Sequence, residues 1–334
     1  MTFRTFLLAT AAGVTALPAL ADVTIYTTRQ PELIQPVIDG FTEESGIAVN
    51  LNFVNEGLVE RLKAEGARSP ADLVMDVDIA NLQRVVDEGV TQPVDSEVLQ
   101  DAIPASLRGA NNHWFGLTTR ARIVYASKER VADGEVTTYE DLTDPKWEGR
   151  ICSRSGLNNY NLALLSAVIA HHGEDAARDW AEGLKANLAR TPEGNDRAQV
   201  KAIWAGQCDI SLGNTYYMGK MLEDPEQTEW ANSVRIVFPE FEEGGTHVNV
   251  SGIAMTQSAP NREEALQLME YLVSPAAQAI YAEENYEYPV LPSAERSDLV
   301  AGWGDFTADD IDLSEVASHR GAALRIMEEV NFDG

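Results

Sequence analysis

Along the first hundred residues, short apolar runs alternate with segments in which apolar side chains recur every three or four positions. Residues 23–26 read as a strand, Leu33, Ile34, Val37, Ile38 and Phe41 fall on one helical face, and residues 47–54 return to strand. Pro31 suits a first helical turn, while Pro36 pushes the regular start downstream. Leu58, Val59 and Leu62 predict a second helix, residues 72–77 a third strand, and Leu82, Val85 and Val86 a third helix. This order predicts an α/β fold, an open and mostly parallel sheet flanked by helices.

The pattern then restarts. Residues 150–153 read as a short strand, Leu162, Leu165, Val168 and Ile169 mark a helix that Gly173 ends, and Ala176, Trp180 and Leu184 mark the next. Val200, Ile203 and Trp204 predict a third helix before a strand over 209–212. Later, Asn261 and Glu264 have the spacing of a capping box ahead of Leu268, Met269 and Leu272, with Pro275 as the stop. Trp114, Trp180 and Trp204 lie in apolar patterns and read as core, and a Gly/Glu-rich turn spans 242–245. With 334 residues and 44% hydrophobic content, the chain can build two ordinary cores.

The amino terminus sets the compartment. One positive charge at Arg4, an apolar stretch over 6–20 and a small-x-small site at Ala19-Leu20-Ala21 predict a secretory signal peptide over residues 1–21, and so a periplasmic product beginning near Asp22. No later stretch approaches the roughly 20 apolar residues of a membrane span, so no stable membrane insertion is expected. The net charge of −28 becomes −29 once Arg4 is removed, which excludes nucleic acid as an expected partner. Cys152 and Cys208 are the only cysteines, and in an oxidising compartment they predict one disulfide. Closing a loop of about 56 residues, it would contribute about 4 kcal/mol on the chain-entropy model.

Ligands of doubly wound sheets bind beyond the carboxyl ends of strands. Tyr160, after the strand over 150–153, and Tyr216 with Tyr217, after the strand over 209–212, occupy equivalent positions. A Cys152–Cys208 bridge would hold those strands adjacent and bring three phenols to one rim. A tyrosine pair at a strand end is also ordinary aromatic packing; Tyr160 and the cysteines turn the reading toward a site. Phenol has a reference pKa near 10, but a bound cation favours the anion, and three phenolates balance Fe(III). His171 and His172 fit a helix end, and Asp72, Asp76 and Asp78 share a strand face as solvated carboxylates. No HExxH, GxSxG, P-loop or dinucleotide fingerprint is present, so no enzyme is expected.

Seven stretches together carry a family resemblance: "VTIYTTRQ", "RLKAEGARSPADLVMDVDIANL", "HWFGLTTRARIVYAS", "LTDPKWEGRICSRSG", "NNYNLALL", "GNTYYMGKM" and "NVSGIAMTQSAPNREEALQLMEYL". The chain resembles the periplasmic ferric-iron-binding proteins of bacterial ABC transporters, with the type II solute-binding-protein fold, over essentially its whole mature length. The resemblance implies two α/β lobes joined by crossover hinge strands, lobe 1 over 22–117 plus 245–291 and lobe 2, carrying the metal tyrosines, over 118–244 plus 292–334. It implies Tyr160, Tyr216 and Tyr217 as iron ligands, with Arg120 rather than Arg122 holding a synergistic anion, carbonate, in the cleft. Many relatives carry His-Tyr after the arginine of the first strand–helix loop, whereas here Gln30 and Pro31 follow Arg29. That leaves Arg29, Gln30, Glu56 and Asp78 as candidate supporting or closing contacts rather than ligands. The implied protein is a monomer that captures Fe(III) and delivers it to an inner-membrane ABC permease with its ATPase. The alternative is a protein of the same fold for an organic solute such as a polyamine, thiamine or a phosphonate.

Overall fold

The computed structural model describes residues 22–54 and 57–334; the expected signal peptide over residues 1–21 and Glu56 lie outside the described residues. Nine strands are present among the described residues: β1 Val23–Thr27, β2 Val49–Phe53, β3 Leu73–Asp76, β4 Phe115–Ser127, β5 Ile151–Cys152, β6 Ile210–Asn214, β7 Val234–Val237, β8 Val248–Met255 and β9 Tyr288–Pro289. The sheet runs β2-β1-β3-β8-β4-β6-β5, with β7 and β9 each also pairing with β4. β1 lies parallel to β2 and β3, and β5 is parallel to β6, while β4 and β8 run antiparallel to their neighbours. The sheet is therefore mixed, with parallel pairs where strand–helix–strand units were expected.

β4 is the strand that ties the halves together. Phe115–Ala121 pairs with β8, and from Arg122 onward the same strand pairs with β6. The hydrophobic clusters change at the same place. Two clusters draw on residues between 23 and 117 together with residues between 250 and 290, and Leu313 joins one of them. Two others draw on residues between 121 and 248 together with the carboxyl-terminal helices, including Val316, Ile326 and Phe332. The core switches along β4 between Leu117 and Ala121, and along β8 between Val248 and Val250.

Local sequence explains most element ends, and corrects several expectations. Pro31 opens a short 3₁₀ turn, and the regular helix starts at Gln35 with Pro36 in its first turn, where a missing N–H costs nothing. The helix Asn159–Ala186 is continuous in assignment but broken at Gly173, whose φ of 82° only glycine adopts easily. Asn261 makes no capping bond with its side chain; that amide instead reaches Asp22 O and Asp72 Oδ2. Pro275 opens a new helix, Pro275–Asn285, behind a Ser274 cap rather than stopping the previous one. Trp114 and Trp180 are buried, but Trp204 is 45% exposed: it ends the helix Asp196–Trp204, whose apolar face is Val200 and Ile203.

Candidate metal centre

Two helices bring the phenols to the carboxyl ends of β5 and β6. Asn158 accepts a bond from the Tyr160 N–H at 3.0 Å, so the helix Asn159–Ala186 starts with Tyr160 in its first turn. On the neighbouring strand β6, Thr215 is followed at once by the helix Tyr216–Glu223. Cys152 and Cys208 are bonded to each other, with their Cα atoms 5.8 Å apart, which fixes the base of both units. As a result Tyr160 Oη lies 3.2 Å from Tyr216 Oη, and the Tyr216 and Tyr217 rings pack tilted at 34° with centroids 4.3 Å apart. All three tyrosines line one cavity of about 130 Å³, together with Thr28, Arg29, Gln30, Arg120, Ser251 and Glu287.

The charges around this cavity are arranged unequally. Arg120 is buried, donates Nη1 to Ser251 Oγ at 3.2 Å, and has a buried Nη2 with no partner. A buried cationic donor without an acceptor is costly, so this geometry fits an anion in the cavity. Arg29 uses four of its five donors instead: Nη1 donates to Ser251 Oγ at 2.9 Å and to Glu287 Oε1 at 3.3 Å, Nη2 to Glu287 Oε2 at 2.5 Å, and Nε to Leu33 O at 3.3 Å. Burial pushes the Tyr216 phenol well above its ordinary range, reinforced by Tyr160, and it pushes Tyr217 upward too. Both are neutral at pH 7 without a cation nearby. His247 adds no charge, because burial, then Arg122 and Arg120, push it down to about 3.

Next to the phenols lies a second network, buried except for the partly exposed Arg154. Arg122 and Arg120 are two apart on β4 and so share a face of the strand. Arg122 donates to Asp196 Oδ2 at 3.0 Å, Asn214 Oδ1 at 3.1 Å and Asn161 Oδ1 at 2.6 Å. Asp196 also accepts from Arg154 Nη1 at 2.9 Å and from the Asn214 N–H at 2.9 Å. Asn161 follows Tyr160 and Asn214 precedes Thr215 and Tyr216, so one carboxylate ties together the two helix starts that carry phenols. Arg120, Arg122 and Arg154 also sit 5.1–5.9 Å from the Tyr160 ring centroid, within reach of its π face.

The remaining sequence candidates fall as follows. Arg29 is buried and Gln30 is exposed at the cavity rim. Asp78 does not line it: Oδ1 caps the helix Ile79–Asp87 through Ala80 and Asn81, and Oδ2 accepts from Asn249 at 2.9 Å. The three aspartates expected in solvent are all buried; Asp72 anchors the Thr24 and Asn261 N–H groups, and burial, then Asp78, raise Asp76 to about 7. His171 pairs with Asp309 and His172 with Glu140, each at 2.8 Å. No cluster of three or more His, Cys, Asp or Glu fit for a metal occurs among the described residues. Sequence reasoning missed Ser251 and Glu287, because neither follows a strand–helix junction, and neither a serine inside the stretch from Asn249 nor a lone glutamate signals a ligand by itself.

A family model described as bacterial extracellular solute-binding protein matches residues 68–303. The chain belongs to that family. This solute-binding protein is 43% identical to iron uptake protein A1 of Synechocystis sp. over 314 residues, 93% of its own chain and 87% of the relative's. Apo ferric ion-binding protein A of Pasteurella haemolytica superposes on it with a TM-score of 0.91 and 47% identity, covering 95% of this chain and 99% of the other. A Trichodesmium protein solved with iron and citrate ligands gives a TM-score of 0.88 and 41% identity, over 93% and 99% of the two chains. The solute-binding protein thus has the two-lobe periplasmic-binding-protein fold, and the disulfide expected from its cysteines is present.

Proposed function

We propose that this protein is the periplasmic binding component of a ferric-iron ABC transporter, with Tyr160, Tyr216 and Tyr217 as phenolate ligands and Arg120 holding a carbonate anion beside the metal. The observation that carries this reading is the convergence of three phenols on one small cavity that Arg120 also lines, with its buried Nη2 lacking a partner. Three phenolates cancel the charge of Fe(III), and a guanidinium is the natural partner for the anion that completes its coordination. The Synechocystis and Pasteurella relatives, an iron uptake protein and a ferric ion-binding protein, support the same cargo.

Lobe 1 then comprises residues 22–117 plus 245–291 and lobe 2 residues 118–244 plus 292–334; the core switch on β4 supports the first boundary, the switch on β8 falls a few residues after 245, and Leu313 reaches across into the lobe 1 core. Capture by lobe 2 is followed by closure that excludes water, and release comes when an inner-membrane permease reopens the lobes or the iron is reduced. The protein acts as a monomer and performs no chemistry; both cysteines are joined to each other, which leaves no thiolate for a transferase reaction. An organic solute is disfavoured by size and by charge. The cavity of about 130 Å³ is well below the roughly 300 Å³ at which small-molecule sites begin, and its one lining carboxylate is spent on Arg29.

The test is an absorption spectrum with metal analysis of the protein as purified, before and after chelation. Iron with a visible phenolate band that chelator removes supports the reading; a colourless protein that cannot be loaded with Fe(III) overturns it.

A further inference from the structure

Two guanidinium groups enter the cavity, and they are not equivalent. Both donate to Ser251 Oγ, Arg29 at 2.9 Å and Arg120 at 3.2 Å, so two buried like charges share one acceptor. Only Arg29 has a counter-charge. Glu287, itself buried and reached from the loop ahead of β9, gives both carboxylate oxygens to Arg29 and lines the same cavity as the phenols. Its bidentate grip engages four of the five Arg29 N–H donors together with Leu33 and Ser251 and neutralises its charge, whereas Arg120 donates only to Ser251 and has Nη2 without a partner.

The charge count is simple on the proposed ligation, on which this step rests. Three phenolates cancel Fe(III), Glu287 cancels Arg29, and Arg120 is the one uncompensated cation lining the cavity among the described residues. Space agrees with charge, since 130 Å³ is about the volume of four waters. We infer that Glu287 decides which anion enters with the metal: by neutralising Arg29 it restricts the site to a small anion such as carbonate and disfavours a polycarboxylate such as citrate. Citrate is the apt comparator, because a Trichodesmium relative was solved with iron and citrate ligands.

The experiment loads the full mature chain with Fe(III) in bicarbonate, then titrates with citrate while following the visible band and protein-bound iron. Glu287→Gln frees Arg29 as a second anion-binding cation, and half-exchange should occur at citrate concentrations at least about tenfold lower than in the wild type. Arg29→Gln, which leaves Glu287 uncompensated, should shift half-exchange in the opposite direction. The double substitution Arg29→Gln with Glu287→Gln restores the charge count and should return to within about twofold of the wild type. If Glu287→Gln does not fold, the opposite shift in Arg29→Gln and its reversal in the double variant carry the test. Iron uptake with unchanged citrate exchange in every variant overturns this inference alone, whereas a wild-type chain that takes no iron overturns the ligand reading and this inference with it.

Discussion

Asp196 is the residue on which the geometry next to the phenols converges, and Asp196→Asn removes its charge with little change of shape. The carboxylate is wholly buried and accepts from Arg122 at 3.0 Å, Arg154 at 2.9 Å and the Asn214 N–H at 2.9 Å. Its loss leaves two guanidinium groups short of their counter-ion, Arg122 at 3% and Arg154 at 15% exposure, so water reaches Arg122 poorly. Breaking a buried pair in this way costs about 3–5 kcal/mol, out of a total stability of about 5–15 kcal/mol. The melting temperature followed by circular dichroism should fall by about 6 °C or more. The exposed pair Arg178–Glu329 is the control, since Glu329→Gln should cost less than about 1 kcal/mol. Because Asn214 and Asn161 position Tyr216 and Tyr160, the iron band should also shift or weaken at temperatures where the variant is folded. A melting temperature within 1 °C of wild type, with an unaltered spectrum, would refute the assignment of Asp196 as the anchor.

Three further outcomes follow from the structure. Iron binding should weaken as pH falls from 7 to 5: burial holds Tyr216 and Tyr217 protonated in the metal-free protein, so each ligating phenol gives up a proton to iron and contributes up to about tenfold per pH unit; equilibrium competition with a chelator at several pH values measures this, and a flat profile contradicts it. Gly219→Ala should destabilise by about 1–3 kcal/mol in a denaturant titration, because a Cβ there would meet the Tyr286 ring at 2.2 Å on the helix that carries Tyr216 and Tyr217. Reducing the Cys152–Cys208 bridge, which spans 56 residues, should cost about 4 kcal/mol in the same titration, and no change would argue against chain entropy as its main contribution.

Much of this architecture was legible in the sequence, for identifiable reasons. Periodicity located β1, β2, β3 and β6 because each is a short apolar or alternating segment beside a helix with one apolar face, and the disulfide followed from two cysteines in a chain expected to be exported. That Tyr160, Tyr216 and Tyr217 share one cavity was legible because each opens a helix after one of two strands that the disulfide joins. What escaped detection depends on tertiary neighbours. Asp78 looks like a cleft residue until Asn249, 171 positions away, is seen to occupy it, and Glu287 meets Arg29 across 258 positions with no local signal. Pro275 and Asn261 misled because a proline or a cap residue marks a helix boundary without saying which side the helix lies on, or whether the side chain is free to cap. Trp204 misled because an apolar side chain at the last residue of a helix escapes the face its periodicity assigns.

The most direct measurement is the visible spectrum of the iron-loaded protein, with protein-bound iron quantified in parallel, for wild type, Tyr216→Phe and Tyr217→Phe. The geometry predicts one ferric ion per chain with a phenolate band in the wild type, and loss of that band with strongly weakened iron retention in each variant. Spectra and iron content that survive both substitutions would contradict the claim that these phenols hold the metal.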